Sequence, residues 1–232
     1  MNKSVIRYLA RHLAAGWIGA MGWVSAGQAV LADQPEAAPR ITVYVYNWAK
    51  VEPSTMREAK EVAARVFRNA GLNAALLDPP SPSDEGQGAA VEDVSASDFI
   101  VHIVSPAMAK QFRLPATMLG VAPGTPQEEN RTTVYVFDHV ASKMAREQQE
   151  QVLARVQGSA SRPVDKGQIL GHAMAHEIGH VLLLQESHSP AGLMRAAWDR
   201  QDFQEMILGN LGFSSEEAGQ VRAEVLRREI PR

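Results

Sequence analysis

The stretch DKGQILGHAMAHEIGHVLLL, residues 165–184, constrains the fold of this chain more than any other segment. It is largely apolar, and Asp165 at its start can cap a helix, with Gln168 three residues on completing a capping-box arrangement. The pattern predicts a helix that runs to about Leu184. Two histidines and a glutamate lie close together inside this apolar helix, and their spacing determines what they can do.

These residues form the motif H-E-I-G-H, with His176, Glu177 and His180. Residues four apart lie on one face of a helix, with about 6 Å between their Cβ atoms, so both imidazoles can reach one metal ion at about 2.0–2.1 Å. Glu177 lies about 100° around the helix from His176, where a carboxylate can take a proton from water on the metal. The spacing therefore predicts a zinc site with Glu177 as its general base.

Three further histidines, His102, His139 and His172, fit this chemistry less well. His172 also stands four residues before His176, but Ala173 occupies the place of the base, so His172 is interpreted as a core residue or a neighbour of the site. His102 and His139 have no ligand spacing and are interpreted as ordinary histidines.

The composition is that of one ordinary globular domain. Apolar residues make up 45% and charged residues 21% of the 232 residues, which is far from the composition of disordered chains. The chain has no cysteine, which excludes disulfides, thiolate metal ligands and a cysteine nucleophile.

The first 32 residues have the layout of a secretory signal peptide. Three basic residues and a mostly apolar stretch precede the first acidic residue, Asp33, and cleavage is predicted after Ala32 or Ala29. An uncleaved membrane anchor is the alternative, because the apolar stretch is about as long as a spanning helix of ~20 residues. Without the leader, 20 basic and 26 acidic residues give a net charge of about −6, which disfavours nucleic acid as a partner.

Strand and helix patterns follow a linker at 33–40. Strands are predicted at 41–48, 73–78, 99–105 and 132–138, and helices within 52–72, 139–158, 165–184 and 213–228. This order predicts a single α+β domain over residues 41–232. Its sheet and motif helix occupy 41–184, and a C-terminal subdomain occupies 185–232.

The motif and the residues after it resemble the metzincin clan of zinc endopeptidases, and most closely its matrixin branch. Gly-Leu-Met at 192–194 is similar to the Ala-Leu-Met of the matrixin Met-turn, and Met194 follows His176 by a similar step of 18 residues. His-Ser at 188–189 is similar to the start of the matrixin loop. The resemblance implies a zincin-like fold with a mixed, twisted four-stranded sheet, packed helices and C-terminal helices. It also implies a Met-turn in which Met194 forms a hydrophobic floor and is not a ligand.

Two positions depart from the clan motif H-E-x-x-H-x-x-G-x-x-H. Leu183 stands in place of the glycine, so either the helix runs on or a bulkier residue takes the turn. Glu186 stands in place of the third histidine, and His188 lies two residues later. We predict His188 as the third ligand, because a helix without its glycine stop needs extra residues to bring a ligand back. Glu186 is the alternative, since zinc accepts imidazole and carboxylate, and Glu205 is a weaker one, by analogy with thermolysin-like enzymes.

The expected function is that of a secreted or periplasmic zinc endopeptidase with Glu177 as general base. We expect a peptide or protein substrate to lie along an exposed strand edge, for which 132–138 is the candidate. The alternative is a non-catalytic zinc-binding or protein-interaction domain on the same scaffold. Glu177 argues against that alternative, because metal binding alone does not need this carboxylate.

Overall fold

The computed structural model describes residues 38–79, 97–115, 117–123, 132–154, 162–185 and 188–230. All of them belong to one compact unit, Ala37–Arg232. The predicted signal peptide at 1–32 and the alternative ligand Glu186 lie outside the described residues. Within the described ranges, no helix is both long and apolar enough to cross a lipid bilayer.

One mixed sheet forms from the strands β1 (Arg40–Asn47), β2 (Asn73–Leu77), β3 (Asp98–Val104), β4 (Gly120–Val121) and β5 (Thr133–Phe137). Their order across the sheet is β2-β1-β3-β5-β4. The neighbours from β2 to β5 pair in parallel, whereas β4 pairs antiparallel with β5. The predicted α+β class with a mixed sheet is confirmed at this level.

Two expectations about the sheet were wrong. The sheet has five described strands where four were expected, because β4 is two residues long and offers no alternation for a pattern to reveal. The segment 132–138 does not supply an edge strand, since β5 lies between β3 and β4. Among the described strands, β4 forms the edge on this side of the sheet.

The described part of the chain contains six helices. They are α1 (Pro53–Asn69), α2 (Pro106–Gln111), α3 (Asp138–Ala154), α4 (Lys166–Leu182), α5 (Arg200–Leu208) and α6 (Ser215–Glu229). The sequence patterns did not predict α2, because six residues are too few for a helical period to stand out.

The motif helix α4 is the central element of the core. Every residue from Gly167 to Leu182 is buried, and α4 packs against α1, α3, α5, α6 and the sheet. A Cβ atom added at Gly171 would lie only 2.6 Å from the carbonyl oxygen of Ala59, so the glycine permits a close crossing of α1 and α4. Side chains on α4 are therefore held by a backbone that is packed on all sides.

Candidate metal centre

The two motif histidines face each other on one side of α4. The Nε2 atoms of His176 and His180 are 3.1 Å apart, and both residues are buried, each with 8% of its surface exposed. The Nδ1 atom of His176 lies 2.7 Å from the carbonyl oxygen of Leu193, and that of His180 lies 3.0 Å from the carbonyl oxygen of Gln185. In each ring, Nδ1 thus faces a backbone carbonyl oxygen and Nε2 faces the other imidazole.

These contacts assign the tautomer of both rings. A carbonyl oxygen only accepts hydrogen bonds, so Nδ1 of each neutral ring carries the proton and donates it. Each Nε2 atom then presents a lone pair, and the two lone pairs point into the same small volume. Two acceptors at 3.1 Å with no proton between them repel each other, and a cation between them removes this repulsion.

His188 completes a group of three imidazoles. Its ring centroid lies 5.4 Å from that of His176 and 4.8 Å from that of His180. One ligand atom from each of the three histidines lies within 4.8 Å of the others, so this group could hold a metal ion. Unlike the other two, His188 is exposed. The sequence-predicted set is brought together, while the alternative Glu186 lies outside the described residues.

The spacing of the two buried nitrogens matches what a tetrahedral metal ion requires. Two nitrogens bound to one tetrahedral ion at about 2.0–2.1 Å are about 3.3 Å apart, close to the 3.1 Å between the two Nε2 atoms. Imidazole nitrogens suit zinc, copper, iron and nickel, so the donor types alone do not select one metal. Three protein ligands leave a fourth position of a tetrahedron open, as in catalytic rather than purely structural sites.

The pKa of His176 favours the form that binds metal. Burial is the main cause that lowers this pKa from 6.5 to about 4, the charges of His180 and His188 act in the same direction, and the hydrogen bond to Leu193 acts against them. The imidazole is therefore neutral at pH 7, as a ligand nitrogen must be.

Glu177 lies beside the histidines and against the edge of the sheet. It is 6% exposed, and a Cβ atom added at Gly120 in β4 would lie 2.6 Å from its Oε1 and Cγ atoms. The carboxylate therefore rests on the bare backbone of Gly120, where any side chain would displace it. Sequence reasoning missed this contact, because nothing in a lone glycine within a two-residue strand indicates it.

Met194 packs against the motif helix α4 at Gly179. It is fully buried, and a Cβ atom added at Gly179 would lie 2.6 Å from its Sδ atom. The turn that leads to Met194 has Gly192 at φ 78°, in the left-handed region that favours glycine. Leu193 is anchored in turn by its backbone N–H, which donates to the carbonyl oxygen of Gly212 at 2.9 Å. The two glycines, Gly179 and Gly192, thus permit the close approach of Met194 to α4.

Trp198 is a further neighbour that sequence reasoning did not identify. Its Nε1–H donates to the Leu193 carbonyl oxygen at 3.0 Å, the same atom that accepts from His176. Its ring also meets that of His176 edge to face, with centroids 5.9 Å apart. A tryptophan four residues after Met194 belongs to no motif, so only the structure reveals that it contacts the His176 ring.

The helix ends without the glycine of the clan motif. α4 stops at Leu182, and Leu183 remains in the right-handed region with φ −80°. Leu184 then adopts a left-handed conformation, with φ 52°, although it is not a glycine. Of the two options left open by the sequence, the second is observed: a bulky residue takes the turn, one position later than the clan's glycine.

The other candidate residues lie apart from the group of three imidazoles. His172 is buried, and its Nδ1 atom lies 2.7 Å from the carbonyl oxygen of Gln168, which agrees with its interpretation as a core residue. His102 accepts a hydrogen bond from Trp48 Nε1 at 3.0 Å within an aromatic cluster of the sheet. Among the described residues, neither these histidines nor Glu205 in α5 belongs to the potential metal-binding group.

Comparison with known proteins leaves the family of the chain open. No family model matches the sequence, and no curated protein matches it either.

Proposed function

We propose that this protein is a secreted or periplasmic zinc-dependent endopeptidase of the metzincin kind. His176, His180 and His188 would hold the zinc ion, and Glu177 would act as general base. The proposal rests above all on one observation, the two buried Nε2 lone pairs that face each other at 3.1 Å beside a buried carboxylate. Metal binding alone explains the lone pairs, but it does not require the carboxylate at the next position of the same helix.

The chemistry divides between the metal and the chain. When bound, a zinc ion lowers the pKa of a coordinated water towards about 7 and polarises a carbonyl oxygen. Glu177 takes the proton from the water whose oxygen attacks the peptide carbonyl carbon. It then delivers this proton to the nitrogen that leaves when the C–N bond breaks, so that the carboxylate is regenerated. Leu193 and Gln185 keep the ligand rings in the required tautomer through their carbonyl oxygens.

The edge strand β4 is the place where a substrate would lie. Extended peptides add to exposed sheet edges through backbone hydrogen bonds, and β4 forms the edge next to α4. Gly120 of β4 also contacts the Glu177 side chain, so a peptide paired with this strand would pass close to the general base. This replaces 132–138, whose central strand β5 is covered by β4.

The mechanism is tested by Glu177→Gln, with Glu216→Gln on the exposed start of α6 as the matched control. Both proteins should retain zinc after dialysis. Glu177→Gln should lose about 10²–10⁴-fold in the rate of cleavage of an unfolded protein substrate, while Glu216→Gln keeps the wild-type rate. Wild-type activity in Glu177→Gln would disprove the mechanism. A zinc-loaded wild type that cleaves nothing in a peptide library, at any pH, would favour the non-catalytic zinc-binding or protein-interaction domain.

The ligand set is tested separately by zinc content. His188→Ala should lose the metal, whereas Glu186→Ala should retain it. The reverse result would show that the third ligand is Glu186. The N-terminal residue of the protein recovered outside the cytoplasm tests the proposed export, since a cleaved leader predicts Asp33 or Val30 at this end.

A further inference from the structure

The loop that carries His188 is tied to the start of α6 by one buried carboxylate. Glu217, which is 6% exposed, accepts a hydrogen bond on Oε1 from the hydroxyl of Ser189. Its Oε2 atom accepts from the backbone N–H of Ser214 at 2.7 Å, and its own N–H donates to the Ser214 hydroxyl at 3.2 Å. One side chain thus closes the capping box of α6 and at the same time binds a loop 28 positions earlier in the chain.

A capping box does not need the hydrogen bond between Ser189 and Glu217. The reciprocal bonds between Ser214 and Glu217 satisfy the start of α6 by themselves. The remaining carboxylate oxygen is directed at Ser189, the residue next to the exposed His188. The backbone of Ser189 is fixed as well, since its N–H donates to the Met194 carbonyl oxygen at 2.8 Å. Residue 189 is therefore held from both its side chain and its main chain.

We propose that Ser189 and Glu217 are positioning residues for the third metal ligand. This inference rests on the proposed metal site. It adds that the contact between the loop and the start of α6 raises the affinity of this site for zinc. His188 lies on a loop and has no helix to orient it, in contrast to His176 and His180. Holding the neighbouring residue reduces the number of loop conformations that metal binding must exclude, so less conformational entropy is lost when the metal binds.

The hydroxyl of Ser189 can be removed while the shape of the side chain is kept. Ser189→Thr retains the hydroxyl, and Ser189→Val replaces it by a methyl group in a side chain of nearly the same size as threonine. Zinc affinity is measured for each protein by competition with a chromophoric chelator. We expect Ser189→Val and Ser189→Ala to bind zinc about 10–100-fold more weakly than wild type, the range found for groups that orient ligands, and Ser189→Thr to restore the affinity.

The control separates this effect from a loss of helix stability. Ser214→Ala removes the cap of α6 but leaves the Ser189 hydroxyl in place, so it should lower the urea midpoint of the metal-free protein with little change in zinc affinity. Glu217→Ala removes the group that accepts from the Ser189 hydroxyl, so it should weaken zinc binding as Ser189→Val does, whereas Ser214→Ala should not.

Hydrogen exchange gives a second test, because a contact that only stabilises the fold would not make the exchange at Glu217 depend on zinc. Because coupling between sites is reciprocal, zinc should slow exchange of the Glu217 backbone amide in wild type and less so in Ser189→Val. Equal zinc affinity of wild type, Ser189→Thr and Ser189→Val would overturn this inference and leave the proposed function intact. A wild-type protein that binds no zinc at all would overturn both.

Discussion

The left-handed Leu184 is the position at which the local backbone can be tested most directly. The clan motif places a glycine at residue 183, whereas the structure gives Leu183 a φ of −80° and Leu184 a φ of 52°. Glycine is favoured only where φ is positive. Alanine and glycine substituted in turn at both positions should therefore give effects of opposite sign at two adjacent residues.

The magnitude follows from the difference between each alanine and glycine variant, because both lack the leucine side chain. At Leu184, a left-handed residue with a Cβ atom costs about 1–2 kcal/mol, and the greater freedom of glycine in the unfolded chain offsets about 0.5–1 kcal/mol of this. Leu184→Gly should thus exceed Leu184→Ala in free energy of unfolding by about 1 kcal/mol. At Leu183, where φ is negative, a Cβ atom causes no strain, and only the greater freedom of glycine in the unfolded chain matters. Leu183→Gly should therefore be less stable than Leu183→Ala by about 0.5–1 kcal/mol.

Urea titration of the four metal-free variants, followed by circular dichroism, measures these differences from the midpoints at a common slope. Working without metal keeps changes in ligand affinity out of the comparison. If Leu183→Gly is the more stable member of its pair, the turn lies at residue 183 as in the clan motif. A left-handed turn at Leu184 would then be wrong.

Three further results are expected from the same titration. Gly179→Ala should lower the free energy of unfolding by about 1–3 kcal/mol, because its Cβ atom would lie 2.6 Å from Met194 Sδ. Gly219→Ala should be neutral or stabilising, since its Cβ atom would meet nothing closer than 4.0 Å. Equal effects of the two substitutions would contradict this packing. Burial lowers the pKa of His172 from 6.5 to about 4, so below pH 6.5 the unfolded chain binds this proton first. His172 alone should then lower the free energy of unfolding by about 3 kcal/mol between pH 7 and pH 4. His172→Gln should lose less stability than wild type over this range, by about this amount. Zinc at a hundred times its dissociation constant should raise the free energy of unfolding of the wild type by about 2.7 kcal/mol and leave that of His180→Ala almost unchanged. An equal gain in both proteins would place the metal elsewhere.

Long segments with many periods were predicted correctly from the sequence. The helix α1 forms within the predicted segment 52–72, and the apolar residues on its inner face are buried: Ala59, Val62, Ala63, Val66 and Phe67. The capping box of α4 is present in both directions, with Gln168 N–H donating to Asp165 Oδ1 at 3.0 Å and Asp165 N–H donating to Gln168 Oε1 at 3.3 Å. Such features depend on residues within one turn of each other, so local chemistry is sufficient to place them.

Features made by contact between distant segments were not predictable in this way. The edge strand β4 is defined by its pairing with β5, and two residues with the letters Gly-Val contain no signal of their own. The contact between Gly120 and Glu177 joins residues 57 positions apart, and the Ser189–Glu217 hydrogen bond joins residues 28 positions apart. Each of these depends on how distant elements pack together, which local patterns in a single sequence do not specify.

The proposed third ligand, His188, lies between two residues whose carbonyl oxygens contact the other two histidines. The Gln185 carbonyl oxygen accepts from His180 directly after the left-handed turn, and the Leu193 carbonyl oxygen accepts from His176 just before Met194. Gln185 and Leu193 therefore orient the rings of His180 and His176, and both residues are held beside the potential metal-binding group. A turn one residue later than in the clan motif shifts the start of the loop that carries His188 along the chain. A third ligand two residues later, at His188 rather than at 186, is consistent with that shift, and the Ser189 contact to α6 then fixes the middle of the loop.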